Sequence, residues 1–241
     1  MRRALLTGVM AALLAAPPRA QAAEPAPLSA ASATWLRDTV RPLGARTSLA
    51  IVLGGAALGA ACTSFEDADA SARALQGAPW DRLSDVGNAY GELPVISSTA
   101  VLLYAAGRWS GHAPLRDAGF DAMRALCVSG AAVGVLKLSV KRTRPDGGRH
   151  SFPSGHTAAA MAMAPVITRH LGWRFGVPAH ALALMAGMGR IEDRRHHLSD
   201  VVWGGTIGLT AGLAARQPRR GTPTSVGLLL DEDRIGCVLH F

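Results

Sequence analysis

The chain has 241 residues, 49% of them apolar and only 17% charged, below the roughly 25% charged of an ordinary soluble domain. Its apolar segments are long and recurrent, which excludes a disordered chain, and the length suits one well-cored domain rather than two. The net charge of +8 does not mark a nucleic-acid binder, because the basic residues show neither aromatic interleaving nor a known binding motif.

The first residues have the parts of a secretory signal. Arg2 and Arg3 supply the charged start, Leu5 to Ala16 the apolar run, and Ala20-Gln21-Ala22 a small-x-small site. Residues 1–23 are therefore read as a signal peptide of an exported protein. A first transmembrane helix is the alternative, although the run is short for a span and Pro17-Pro18 ends it. Removal of the segment would take away three arginines and leave a net charge of about +5. Much of that excess lies between Lys137 and Arg149, as expected of a local anion site.

Residues 24–46 form a Pro- and Ala-rich lead, with some order expected near Trp35. Apolar segments follow at 48–63, 93–107, 120–140, 154–171, 177–190 and 198–215, with almost no strand-like alternation. They predict an all-α bundle of about six core helices over residues 47–215, packed through the abundant Gly and Ala. Turns are expected at Gly77-Ala78-Pro79, Gly111 to Pro114 and Gly176-Val177-Pro178. Pro165 predicts a kink, and Ser199 or Asp200 a cap for the last helix. Cys62 and Cys127 sit in apolar runs and are read as small buried hydrophobes. Residues 216–241 change character: a basic linker, then two short apolar runs around Asp231-Glu232-Asp233 that suggest a β-hairpin. Most of the helical segments are nearer 15 than 20 residues, so a six-span protein and a soluble or surface-associated bundle both fit.

Three short stretches carry the chemistry. In the first, Lys137 and Arg144 stand two helical turns apart and share a face if the helix persists to Pro145; arginine suits bidentate phosphate contact and lysine a mobile point charge. In the second, Pro153-Ser154-Gly155-His156 opens a helix. The free N–H groups there, with the Ser154 hydroxyl, form an anion cradle that Gly155 lets the ligand approach closely. In the third, His196 and Asp200 are four residues apart. A carboxylate at that spacing can receive Nδ1–H and leave Nε2 free to attack. Arg190 adds a third cation where charge develops.

Taken in order, Lys137 with Arg144-Pro145, then Pro153 to His156, then Arg190 with His196 and Asp200 match K-x6-RP, PSGH and SR-x5-H-x3-D. This pattern resembles the type 2 phosphatidic acid phosphatase superfamily, which also holds non-specific acid phosphatases and vanadium-dependent haloperoxidases. The one departure is Gly189, where the family usually has Ser. The resemblance covers roughly residues 80–215. It implies that His196 forms a phosphohistidine, with Asp200 orienting it. His156 protonates the leaving alcohol and then activates water, while Lys137, Arg144, Arg190, Ser154 and Gly155 bind the phosphoryl oxygens. No metal or cofactor is expected. His150, His197, Arg194 and Arg195 are expected to support the site or the leaving group.

The expected substrate is a lipid phosphate or pyrophosphate of the cell envelope, with membrane association and a periplasm-facing site. A periplasmic acid phosphatase on soluble esters is the main alternative. A haloperoxidase is disfavoured by the short chain and the lack of a segment for a halide site. A non-enzymatic envelope protein is disfavoured because every charged catalytic position is filled.

Overall fold

The computed structural model describes residues 43, 46–64, 66–77 and 79–215, and the backbone of 225–231 and 234–240. The signal-like start, the lead with Trp35 and the 216–224 linker lie outside the described residues. Within them the domain is all-helical: α1 (Arg46–Thr63), α2 (Ala68–Ala74), α3 (Trp80–Gly91), α4 (Leu93–Ser110), α5 (Ala113–Val140), α6 (Gly155–Leu171), α7 (Trp173–Glu192) and α8 (Leu198–Ala214). Two strands, β1 (Ser225–Asp231) and β2 (Arg234–His240), pair antiparallel with Leu228 opposite Cys237.

The bundle has more helices than the six apolar segments predict. α2 and α3 were not legible as core helices because they are short and carry charge on one side; α3, for instance, reads WDRLSDVGNAYG. Asp67 caps α2 by accepting the N–H groups of Asp69 and Ala70 at 2.9 and 3.0 Å. The turn expected at Gly176 to Pro178 lies inside α7 instead. The chain reverses at Gly172, which adopts φ +84° and so takes the left-handed conformation that glycine accepts without strain. The last helix is capped by His197, and Asp200 occupies its third position rather than the cap. α6 runs through Pro165 to Leu171.

α6 is the central element. It packs on α5, α7 and α8, while α1 lies along α8 and α3 along α7. The buried core is built mainly from small residues of α4, α5, α6 and α7, with Ile96, Met163 and Val166 as its larger members. Gly204, Gly208 and Gly212 recur every four residues on α8. A Cβ at any of them would run into the α6 backbone oxygens of Ser154, Ala158 or Ala162. The glycines therefore let two helix backbones meet almost directly, which explains how so Ala-rich a chain attains close packing.

The outer surface is unusually apolar. Leu53, Leu102, Trp109, Val135, Leu138, Trp173 and Leu184 are all exposed, and α1 and α5 are long and apolar enough to cross a membrane. Cys62 is buried as expected, but Cys127 is exposed on the outer side of α5.

Candidate active site

One end of the bundle gathers the C-terminus of α5, the N-termini of α6 and α8 and the C-terminus of α7. All three sequence stretches meet there. Lys137 lies in the last turn of α5. The helix does not persist to Arg144: Lys141 turns left-handed at φ 51° and its N–H bonds back to Lys137 O. Arg144 is carried instead on a tight loop. Its N–H donates to Gly148 O at 2.8 Å, its carbonyl accepts Gly147 N–H, and Asp146 N–H donates to Arg194 O at 3.0 Å. Arg195 pairs with the Asp146 carboxylate at 3.1 Å. Arg194 and Arg195 thus fasten the Arg144 loop to the segment carrying His196.

His150 and His197 each lie within bonding reach of a backbone carbonyl of the neighbouring stretch. Lys137 Nζ donates to His150 O at 2.6 Å, and His150 Nδ1 returns a bond to Lys137 O at 2.9 Å. His197 Nε2 lies 3.3 Å from Thr143 O.

Ser154 is fully buried. Its N–H is committed to Asp200 O at 3.0 Å and its hydroxyl shares a 2.9 Å bond with Thr157 Oγ1. The first intrahelical bond of α6 runs from Ala158 N–H to Ser154 O, so the N–H groups of Gly155, His156 and Thr157 form the open first turn. A Cβ at Gly155 would meet only Val133 Cγ1, at an ordinary 3.7 Å; protein packing does not demand glycine there.

His196 is buried at 3% exposure, with Nδ1 3.8 Å from Asp200 Oδ2. That distance is an ion-pair separation, and a hydrogen bond requires it to tighten. Burial holds the His196 imidazole below its ordinary range; Asp200 opposes this, and the charges of Lys137 and Arg190 reinforce it. Burial likewise lowers His156, helped by Arg190 and opposed by Glu92. Burial alone would raise the Asp200 carboxyl. His196, the Ser151 hydroxyl, the His197 N–H and Arg142 together bring it down to about 2, so it is a carboxylate at any working pH.

Four contributors escaped the sequence reading. Ser151 Oγ donates to Asp200 Oδ2. Arg142 NH1 donates to Asp200 Oδ1 at 2.9 Å. Glu92 lies 3.3 Å from His156 Nε2, and Asn88 Oδ1 lies 3.4 Å from Arg190 NH1. Arg142, between Lys137 and Arg144, was the one with a visible signal; the others lie far from their partners in sequence or carry no distinctive pattern.

Asn88 also accounts for Gly189. A Cβ at that position would come within 2.7 Å of Asn88 Oδ1 and 2.8 Å of Ser84 O, so the tight α3–α7 contact excludes serine and places an amide beside Arg190. Gly189→Ser is expected to destabilise the protein by about 1–3 kcal/mol, read as a lowered melting midpoint. Adding Asn88→Ala should recover only part of the loss, because the Ser84 carbonyl remains.

Residues 118–220, about two fifths of the chain, match the PAP2 superfamily. A lipid A 1-phosphatase of Porphyromonas gingivalis is 37% identical over 91 residues, 36% of this chain and 20% of the relative. The chain thus matches about a fifth of that relative's length. Among solved structures, Aquifex aeolicus LpxE has a TM-score of 0.51 at 20% identity, over 58% of this chain and 87% of that one. A Bacillus subtilis transmembrane PAP2 type phosphatidylglycerolphosphate phosphatase has a TM-score of 0.49 at 18% identity, over 78% and 92% of the two chains.

Proposed function

We propose that the protein is a phosphomonoesterase that works without a metal through a phosphohistidine on His196, acting on a lipid phosphate or pyrophosphate of the cell envelope. One observation carries the reading. The charges of Lys137 and Arg190 bear on a buried histidine, that of Arg144 bears on Lys137, and the buried Nε atoms of Arg144 and Arg190 have no hydrogen-bond partner among the described residues. Buried cationic donors are costly unless an anion satisfies them, and a phosphoryl group supplies the oxygens.

Neutral His196 Nε2 attacks phosphorus as the P–O bond to the leaving group breaks. His156, protonated, gives its proton to the departing oxygen. Asp200 stabilises the positive imidazole that results. Water then attacks phosphorus, His156 takes its proton, the P–N bond breaks with its electron pair returning to His196 Nε2, and phosphate leaves. The three cations neutralise charge spread over the phosphoryl oxygens, the task a metal performs elsewhere. The open N–H groups at the start of α6 add donors to the same oxygens.

The apolar exterior favours a lipid substrate. Exposed Leu138 and Val140 flank the end of α5 beside Lys137, and exposed Leu93 follows Glu92 at the His156 side, so apolar surface reaches the site. Trp109 and Trp173 stand at the opposite end of the bundle with Arg108, Arg116 and Arg174. Aromatic and basic residues at one end fit a headgroup layer. We read α1 and α5 as membrane-inserted, with the site at the exported face, which puts the start of α1 on the cytoplasmic side and favours a retained first segment over a cleaved signal for residues 1–23.

The test compares kcat/KM for a short-chain phosphatidic acid and for p-nitrophenyl phosphate, both after exhaustive chelation of divalent ions. Unchanged turnover with a lipid preference of about 10-fold or more supports the proposal. Equal or better turnover of the aryl ester points to a soluble-ester acid phosphatase, and loss of activity on chelation overturns the metal-free mechanism.

A further inference from the structure

Asp200 is held by more than the nucleophile it faces. Arg142 NH1 donates to Asp200 Oδ1 at 2.9 Å and to Ser199 Oγ at 2.7 Å. The other arm of the same guanidinium pairs with Glu66 Oε1. Glu66 Oε2 in turn accepts the Ser199 N–H at 3.1 Å. The Glu66 side chain is 8% exposed and that of Asp200 is fully buried.

Glu66 comes from the corner between α1 and α2, about fifty residues before the matched superfamily region begins at 118. The corner is located by close helix packing: a Cβ at Gly59 or Gly55 of α1 would strike Trp203 or Thr206 of α8. α1 therefore lies in direct contact with the helix that begins beside His196, and its end delivers a carboxylate to that helix's first turn.

We propose that Glu66 and Arg142 act as a charge-balanced clamp that sets the orientation and the effective charge of Asp200, making the α1–α2 corner a positioning element for the nucleophile. The inference rests on the phosphohistidine reading above. Arg142 fixes the carboxylate rotation, leaving Oδ2 toward His196. Left uncompensated, its positive charge would also weaken the stabilisation that Asp200 offers the imidazolium. Glu66 offsets that charge. The other charges facing His196 are Lys137 from α5 and Arg190 from α7, and both stay constant through the test.

The signs follow from electrostatics. The acid limb of kcat/KM reports His196 losing its proton to become a nucleophile. Glu66→Gln keeps the shape and the acceptor for Ser199 N–H but removes the balancing charge. The His196 imidazolium becomes less favourable, and the acid limb moves to lower pH. Arg142→Gln removes the cation, and the limb moves to higher pH. Each displacement is expected to be about half a pH unit, with kcat lowered roughly 10–100-fold for Arg142→Gln, as for groups that orient a reacting residue. The Glu66→Gln/Arg142→Gln double variant should return the limb toward the wild-type position without restoring kcat.

The experiment measures pH profiles of kcat/KM for the full chain and its variants on one phosphate ester. The ester's own ionisation is common to all of them. Arg142→Lys keeps the charge and loses the fork, and is expected to hold the limb near its wild-type position while kcat falls. This keeps the test open if Arg142→Gln does not fold. Opposite displacements in the two single variants support the clamp, whereas unshifted limbs or shifts of the same sign overturn it. Wild-type protein that releases no phosphate, or a His196→Ala variant that does, overturns the phosphohistidine reading instead.

Discussion

Replacing His196 with alanine is expected to lower kcat by about 10⁴-fold or more, the scale of losses when a covalent nucleophile is removed. The side chain is 3% exposed, and burial holds its imidazole below the ordinary histidine range. It is therefore neutral, with a nucleophilic nitrogen available, at pH values where an exposed histidine would be partly charged. Asp200, brought down to about 2, remains ionised through the cycle and offers its charge as the imidazole becomes positive. Alkaline quenching of wild-type protein during turnover of a ³²P-labelled ester should trap base-stable, acid-labile label on the chain, absent from His196→Ala. Label that persists in the variant would place the nucleophile elsewhere.

His156→Ala is expected to show a different signature. With an alkyl phosphate the steady-state rate should fall by about 10²–10⁴-fold, the usual share of a general acid–base group. With p-nitrophenyl phosphate the first step should be far less affected, because that leaving group departs without a proton. The water step still lacks its base, so the phosphoenzyme accumulates. A rapid burst of nitrophenolate, close to one equivalent of enzyme, followed by slow turnover is the expected result. Equal losses with both esters and no burst would remove His156 from the acid–base role.

The pH dependence follows from the same two groups. Burial first, then Arg190, lowers His156, against the opposing Glu92; His196 is lowered as well. The proposed mechanism needs His196 neutral and His156 protonated. It rises as pH climbs through the first ionisation and falls through the second, so the kcat/KM optimum should lie on the acid side of neutrality.

Much of the site was legible before any folding was considered. Lys137, Arg144, His156, Arg190, His196 and Asp200 carry their chemistry in their side chains, and their spacings place them at helix ends, where cations and free N–H groups are available to an anion. The long apolar segments were equally visible, because burying them requires helices of that length. Less legible was where helices end. Lys141 turns left-handed, so Arg144 reaches the site from a loop. Gly172 reverses the chain four residues before the expected turn, and Pro178 is absorbed into α7.

Residue type and short-range periodicity are enough to read the helical class, the resemblance to a phosphatase superfamily and the charged set at the candidate site. What restrains that set emerges with the folded packing. Glu66 and Arg142 are 76 residues apart, and Asn88 and Arg190 are 102. Such pairs leave no periodic trace in the chain. They come into being when glycine-mediated contacts between α1 and α8, and between α3 and α7, bring distant backbones close enough for one carboxylate or amide to reach across. The reason is physical: local pattern selects elements, while close packing selects which of their ends meet.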